Sequence, residues 1–189
     1  MGMLQKKILL QIIILNLRNM KNLIIIILVL FSSAAKAQVK GITIQASGLT
    51  CSMCSNSIFK ALQKLDFVDK IDANVKTSSF DISFKPNAAI DFDRLKAKVE
   101  DAGFFVANFT VTYHFDALAI SNDKHINVGN SVFHFLNVKE GILSGDKKIR
   151  LLDKGFVSAK EFKKNSSFTK MACYKTGTEN EKRIFHVTI

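Results

Sequence analysis

Apolar and polar residues alternate along four short segments in the first half of the chain, and two stretches with helical spacing lie between them. Alternation is typical of strands with one buried face, whereas apolar residues three or four positions apart indicate a helix. The strand segments are marked by Ile42, Ile44 and Ala46, by Ile71, Ala73 and Val75, by Phe80, Ile82 and Phe84, and by Phe105, Ala107 and Phe109. The helical segments are marked by Ile58, Leu62 and Leu65, and by Phe92, Leu95, Val99 and Ala102. The predicted order of elements is β-α-β-β-α-β.

Breaker residues separate these predicted elements. Pro86 lies where the third strand must end, because proline cannot donate a hydrogen bond to a sheet. Gly103 suits the left-handed position that follows a helix. The order of elements is that of an α+β ferredoxin-like βαββαβ sandwich, in which two helices cover one face of a four-stranded sheet. We therefore predict this fold for residues 38–112.

The second half of the chain, residues 113–189, is predicted to be a separate small β-rich domain. The capping-box spacing of Ser158 and Glu161 predicts a short helix through Lys164. Glycine-containing segments at 141–145 and 176–180 are predicted to be turns. Several short strands with one helix favour a compact sandwich or barrel, of which a five-stranded OB-like barrel is one form. The predicted strands are Val132–Val138, Ile149–Leu152 and Arg183–Ile189.

The first 37 residues have the pattern of a targeting segment rather than of a folded domain. The basic stretch 20–22 precedes an apolar run, Leu23–Phe31, and Ala35-Lys36-Ala37 forms a small-residue cleavage motif. We predict a secretory signal peptide that starts at Met20 and is cleaved after Ala37, so that the protein is periplasmic or secreted. A membrane anchor is the less favoured alternative, because nine apolar residues are too few to span a bilayer.

Charge and motif content exclude several functional classes. The formal net charge is +11, of which residues 1–37 contribute +5 without an acidic residue. In the remainder, basic and acidic residues are interspersed and form no arginine-rich, aromatic-interleaved surface, so we expect no nucleic-acid partner. Three cysteines are too few for a disulfide-scaffolded domain. The sequence has no phosphate-binding glycine loop, no H-E-x-x-H and no G-x-S-x-G motif. We therefore expect a monomeric binding protein rather than an enzyme.

The motif that carries chemistry is Cys51-x-x-Cys54, between the end of a predicted strand and the start of a predicted helix. This spacing allows both sulfurs to face one point, and the amides of a helix N-terminus favour the thiolate that binds metals. Soft sulfur ligands select soft ions such as Cu(I). On spacing alone the pair also suits a redox dithiol, half of a zinc site or a structural disulfide.

The loop Gly48-Leu49-Thr50-Cys51-Ser52-Met53-Cys54 resembles the G-M-T-C-x-x-C loop of heavy-metal-associated domains. These domains occur in copper chaperones, metal-transporting ATPases and periplasmic mercury-binding proteins. The resemblance extends over residues 39–112 and implies that Cys51 and Cys54 bind one soft metal ion as thiolates. It also implies that Phe104 packs beside the loop and that Leu49 takes the position of the usual methionine beneath it.

Together with the predicted signal peptide, the resemblance implies an exported protein that holds one Cu(I) for sequestration or for delivery by ligand exchange. The recipient would be a metal-transporting membrane protein or another metal-accepting protein. Hg(II), or another soft heavy metal, is the alternative ion. Two hypotheses of other classes stay open. One is a thiol-disulfide oxidoreductase that uses the same cysteines, and the other is an interaction module in residues 113–189.

The remaining candidate residues lie in the second half of the chain. Cys173 is predicted to lie on a strand as a buried, inert thiol, with a role as a distant metal ligand or in disulfide exchange as the alternatives. Each of His114, His134 and His186 stands between apolar neighbours on a predicted strand. Alternation favours a polar outer face for these histidines, and convergence on a metal ion is the alternative. His125 is predicted to lie in a loop without a role, and Met53 is predicted to face solvent without binding the metal.

Overall fold

The computed structural model describes residues 38–49 and 52–189. The predicted signal peptide therefore lies outside the described residues, as do Thr50 and Cys51. The described residues form one compact unit. Within the described part of the chain, no helix combines the length and the apolar character that crossing a membrane requires.

The described residues form nine strands and four α-helices. The first half contains β1 (Gln38–Ser47), α1 (Ser52–Gln63), β2 (Val68–Asn74), β3 (Ser79–Phe84), α2 (Phe92–Asp101) and β4 (Phe105–Ile120). The second half contains β5 (Lys124–Val128), β6 (Ser131–Phe135), β7 (Gly141–Leu151), α3 (Ala159–Asn165), a 3-10 turn (Ser166–Phe168), α4 (Cys173–Thr176), β8 (Thr178–Glu179) and β9 (Lys182–Thr188).

The first half has the predicted ferredoxin-like fold. Its strands lie in the order β2-β3-β1-β4, and each neighbouring pair is antiparallel. Both helices bury their apolar stripes in the core that covers this sheet, with Leu62 of α1 and Leu95 of α2 inaccessible to solvent. The alternation and helical spacing predicted these elements because each element has one buried face.

The second half extends this sheet and does not close into the predicted barrel. The strand order continues from β4 through β7, β9 and β6 to β5, and β8 pairs with β9 at its side. The sheet is therefore open, with β2 and β5 at its two ends. Strands β6 and β9 are parallel neighbours, with His134 opposite His186. This parallel pairing joins segments that are about fifty residues apart in the chain.

The predicted division after residue 112 lies inside β4, which spans 16 residues. The alternation of buried residues runs through this position without a break, in the order Phe109, Val111, Tyr113 and Phe115. Phe109 packs edge-on against Phe156 of the second half, with ring centroids 5.0 Å apart. The two halves consequently share one strand and one apolar core.

Three local predictions in the second half are wrong. The segment 141–145 was predicted to be a turn because of its two glycines, but it begins β7 and pairs with β4, where Leu143 lies opposite Leu118. His125 lies in strand β5 rather than in a loop. Cys173 is the first residue of helix α4 rather than part of a strand, and the left-handed Gly177 (φ 74°) ends this single helical turn.

The predicted capping box at Ser158 is confirmed. The hydroxyl of Ser158 accepts a hydrogen bond from the amide of Glu161 at 3.2 Å, and α3 follows from residue 159. Helices α3 and α4 cover the face of the second half that lies opposite the main core. Their contacts form a second small core around Leu136, Leu152 and Tyr174, to which Phe162 and Phe168 add their rings. Both faces of β6 and β9 are therefore buried.

Candidate functional site

Residues at one end of the first half surround the C-x-x-C motif. Strand β1 ends at Ser47, Gly48 turns the chain with a φ of 83°, and α1 begins at Ser52. Cys54 lies in the first turn of α1 and is half-buried. This turn carries no acidic residue, and Cys54 lies near the positive end of the helix dipole.

The neighbours of this loop differ in their exposure to solvent. Leu49 and Phe104 are partly buried and pack against the main core. Met53 is 79% exposed, as predicted for a residue that faces solvent. Phe105, which lies opposite Ser47 across the β1–β4 pair, is 72% exposed. Met53 in the loop and Phe105 beside it thus expose two large apolar side chains to solvent.

A second group of metal-ligand side chains lies in the other half of the molecule. His125, His134 and His186 occupy neighbouring positions across β5, β6 and β9, since His134 lies opposite each of the other two. The thiol of Cys173 lies against all three rings. Its Sγ is 3.4 Å from Nε2 of His125, 3.5 Å from Nδ1 of His134 and 3.4 Å from Nε2 of His186. We call these four residues the histidine cluster.

The histidine cluster is almost closed to water. The side chains of His134 and His186 are 0% exposed, and Cys173 is 3% exposed. His125, on the end strand β5, retains 20% exposure. The expected polar outer face is therefore wrong for His134 and His186, because α4 and the second small core cover that face. The default prediction for Cys173 is correct in its burial, but it did not anticipate three imidazole neighbours.

Each histidine of the cluster directs its other ring nitrogen to a carboxylate. Nδ1 of His125 is 2.9 Å from Glu179, Nε2 of His134 is 2.9 Å from Asp123, and Nδ1 of His186 is 2.9 Å from Asp153. Asp153 is itself buried and also accepts the backbone amide of His186 at 2.8 Å. These contacts fix the orientation of all three rings.

Burial governs the protonation of the cluster. Burial lowers the pKa of His134 below its ordinary value, although the hydrogen bond with Asp123 acts in the opposite direction. Burial likewise raises the pKa of the Cys173 thiol, and the charge of Glu179 adds to this effect. The pKa of Asp123 is lowered, first by a hydrogen bond with Thr169. Among these groups, the imidazole of His134 and the thiol of Cys173 are therefore held in their neutral forms.

His114 does not belong to this cluster. Its ring is partly exposed and lies between the carboxylates of Asp116 and Asp146, on the β4–β7 pair. The structure thus brings together two of the three histidines that the sequence singled out, and it adds His125. A sequence signal for this cluster was available in nearby acidic residues, namely Asp123, Asp153 and Glu179, because buried histidine ligands commonly pair with carboxylates.

Comparison with known proteins bears on the first half of the chain. The profile of the heavy-metal-associated domain matches residues 43–105. The mercuric transport protein periplasmic component of Pseudomonas fluorescens is 32% identical over 68 residues, which are 36% of this chain and 74% of that protein. A probable copper-exporting P-type ATPase of Archaeoglobus fulgidus is 35% identical over 77 residues, which are 41% of this chain but only 10% of the ATPase. The chain thus spans about a tenth of that ATPase.

A solved structure is also similar to this part of the chain. The crystal structure of oxidised MerP from Ralstonia metallidurans has 27% sequence identity and a TM-score of 0.34. The match covers 37% of this chain and 96% of that chain.

Proposed function

The chain belongs to the heavy-metal-associated domain family, and we propose that it binds one Cu(I) ion between the thiolates of Cys51 and Cys54. The observation that carries this proposal is the position of Cys54, which is half-buried in a helical first turn without acidic residues. Two thiolates and one Cu(I) carry a net charge of −1, which the positive end of α1 stabilises. The proposed role is carriage of the ion outside the cytoplasm rather than catalysis.

Three observations support export and delivery. Residues 20–37 have the pattern of a cleavable signal. The Pseudomonas fluorescens relative, of which the match covers 74%, is named as a periplasmic component. The Archaeoglobus fulgidus relative is named as a probable copper-exporting ATPase. In delivery, one thiolate of the recipient would attack the bound ion, form a three-coordinate intermediate and displace one of the two cysteines, and a second recipient thiolate would displace the other. The ion would then pass to the recipient without release into water.

A competition titration tests the metal site. The reduced chain from Gln38 onward is titrated with Cu(I) against a chromogenic chelator, beside a variant with Cys51→Ser and Cys54→Ser. We expect one tightly bound equivalent in the parent and its loss in the double variant. Affinity should rise with pH, because binding displaces thiol protons. Equal binding by both proteins would contradict the proposal.

Two alternatives are separated by further measurements on the same protein. Hg(II) accepts the same pair of thiolates, so the two ions are ranked by direct competition. A thiol-disulfide oxidoreductase would retain activity after metal is removed by chelation, whereas a metal carrier should have no such activity in either state. Measurable disulfide exchange by chelated protein would favour the oxidoreductase.

The exposed apolar side chains beside the loop are expected to guide the recipient. Replacing the 72% exposed Phe105 by serine should slow Cu(I) transfer to a heavy-metal-associated domain of a copper ATPase by about tenfold, as expected for one lost interface contact of intermediate strength. Cu(I) affinity should not change, because Phe105 offers no ligand. Transfer is followed by stopped-flow competition.

Ile142→Ser is the matched control for this experiment. Ile142 is 70% exposed and pairs with Ala119, at the opposite end of β4 from Phe105. Its loss should leave the transfer rate unchanged. If both variants slowed transfer equally, a specific role for the surface beside the loop would be excluded.

A further inference from the structure

We propose that His125, His134, His186 and Cys173 form a second metal site, which binds a borderline divalent ion of the Zn²⁺ type and uses neither cysteine of the C-x-x-C loop. Three imidazole nitrogens and one thiolate sulfur are the ligands. The proposal rests on geometry within the second half of the molecule, outside the residues that match the family profile.

The sheet positions the three rings before any ion arrives. The register places His134 directly opposite His125 on one side and opposite His186 on the other. Directly opposed residues point to the same face of a sheet, so the three imidazoles stand side by side. Helix α4 then places Cys173 over them. Ligands held on neighbouring strands lose little freedom when an ion binds.

The sulfur–nitrogen distances match those of a tetrahedral site. A Zn²⁺ ion with Zn–S of about 2.3 Å and Zn–N of about 2.0–2.1 Å separates sulfur from nitrogen by about 3.5 Å. The three separations from Sγ of Cys173 are 3.4, 3.5 and 3.4 Å. The ligand atoms of His125, His134 and Cys173 also lie within 4.8 Å of one another. His186 is not part of this group of three, and it is assigned to the site on the 3.4 Å contact between its Nε2 and the sulfur.

The centre of the cluster has more nitrogen lone pairs than hydrogen-bond donors to satisfy them. Each carboxylate accepts a hydrogen bond from the ring nitrogen that faces it. In the neutral form that a metal ligand requires, the opposite nitrogen of each imidazole presents a lone pair to Cys173. Three lone pairs therefore converge on one sulfur, whose single S–H can satisfy only one of them. A metal ion bound by three nitrogens and a thiolate would use every one of these lone pairs.

The surroundings have the form that metal sites use. A histidine ligand almost always donates its second nitrogen to a carboxylate or carbonyl, which fixes the ring and raises its basicity. Here all three histidines do so, at 2.9 Å in each case. The three carboxylates also create a negative potential that favours a cation. Arg183, 3.2 Å from Asp153, neutralises part of that charge.

The ligand set distinguishes this site from the C-x-x-C loop. Imidazole with one thiolate suits Zn²⁺ and its borderline neighbours, whereas two thiolates suit Cu(I) and Hg(II). Four protein ligands and near-complete burial are typical of closed, structural sites. The ion would enter beside His125, the cluster member with the greatest exposure.

Cobalt substitution tests this proposal in a background that removes the first site. The chain from Gln38 onward with Cys51→Ser and Cys54→Ser is stripped of metal and titrated with Co²⁺. We expect one equivalent bound with intense tetrahedral d–d bands and a sulfur-to-cobalt charge-transfer band, both removed by equimolar Zn²⁺. Since the background lacks the C-x-x-C thiols, this result is independent of the proposed Cu(I) site.

Variants assign the bands to the cluster. Cys173→Ser should abolish the charge-transfer band, and His134→Gln should lower Co²⁺ affinity by more than about a hundredfold, the share expected for one of four ligands. His114→Gln is the matched control and should bind Co²⁺ like the background protein, because His114 lies outside the cluster. Circular dichroism of each variant verifies folding.

A conservative variant keeps the test decisive if a ligand variant does not fold. Asp123→Asn retains the side-chain shape beside His134 and should weaken Co²⁺ binding by about 10–100-fold. Zn²⁺ should raise the melting temperature of the background protein and protect Cys173 from alkylation.

No Co²⁺ binding by the folded background protein, or equal binding by His114→Gln and His134→Gln, would overturn the proposal. Rapid alkylation of Cys173 with or without Zn²⁺ would instead favour a reactive Cys–His pair.

Discussion

Replacing Cys54 with serine is expected to lower the Cu(I) affinity of the protein by more than about a hundredfold. Metal sites with four ligands bind with apparent free energies of about 10–16 kcal/mol, or about 3 kcal/mol per ligand, and each 1.4 kcal/mol is a factor of ten. A serine hydroxyl is a hard ligand and does not replace a soft thiolate. The dissociation constant is measured by competition with a chromogenic Cu(I) chelator.

Met53→Leu is the control for this prediction. Met53 is adjacent to Cys54 and 79% exposed, so leucine preserves its apolar bulk while removing the thioether sulfur. We expect no change in affinity. A large loss in Met53→Leu with only a small loss in Cys54→Ser would mean that the thioether, and not this thiol, binds the ion.

The second large effect concerns stability. Phe109→Ala is expected to lower the free energy of unfolding by about 3–5 kcal/mol, the usual cost of removing a buried phenylalanine ring. Phe109 has no solvent exposure and contacts both Phe92 of α2 and Phe156 of the second half. Because this ring joins the two halves, we also expect one cooperative unfolding transition. Chemical denaturation measures the first quantity, and hydrogen exchange at β1 and β9 amides tests the second.

Phe105→Ala is the matched control on the same strand. Phe105 is 72% exposed, so its truncation should change stability by less than about 0.5 kcal/mol. Two separate unfolding transitions in the parent, or exchange of β9 amides at a much lower free energy than β1 amides, would contradict the shared core. That result would favour two independent domains.

The first half of the fold was predictable because each of its elements has one buried face. Ile42 and Ile44 alternate with polar residues on β1, and Leu95 and Val99 mark the buried stripe of α2. Local spacing is sufficient to identify such elements. The polar segment between β2 and β3 and the single proline, Pro86, then left few alternatives for where these two strands end.

The second half was less predictable because its sheet is covered on both faces. Phe133, His134 and Phe135 are consecutive and all fully buried, so alternation does not indicate an outer face here. Strand order is also nonlocal: β6 lies parallel to β9, and nothing in either segment specifies this pairing. Gly141 and Gly145 have the composition of a turn, and only the pairing with β4 makes their segment a strand.

The two candidate sites differ in predictability for the same reason. Cys51 and Cys54 are three positions apart, so spacing alone identifies them as a candidate pair. The histidine cluster is assembled from three strands and one short helix, and its nearest members in sequence, His125 and His134, are nine residues apart. Only the tertiary structure brings Cys173 to all three rings.

The two proposals together describe a carrier with two chemically distinct sites. The proposed thiolate pair suits a soft ion that must be exchanged with a partner, and it lies next to exposed apolar side chains. The proposed histidine cluster is buried and suits an ion that remains in place. A single chain would thus use a transferable metal for its function and a resident metal for its structure.

X-ray absorption spectroscopy of the protein loaded with one equivalent of Cu(I) tests the central claim most directly. The first coordination shell reports the ligands without mutagenesis. We predict two sulfur neighbours and no imidazole nitrogen, as required for binding by Cys51 and Cys54. A shell of imidazole nitrogens with one sulfur would contradict this account, because it would show that the histidine cluster, rather than the C-x-x-C loop, is the copper site.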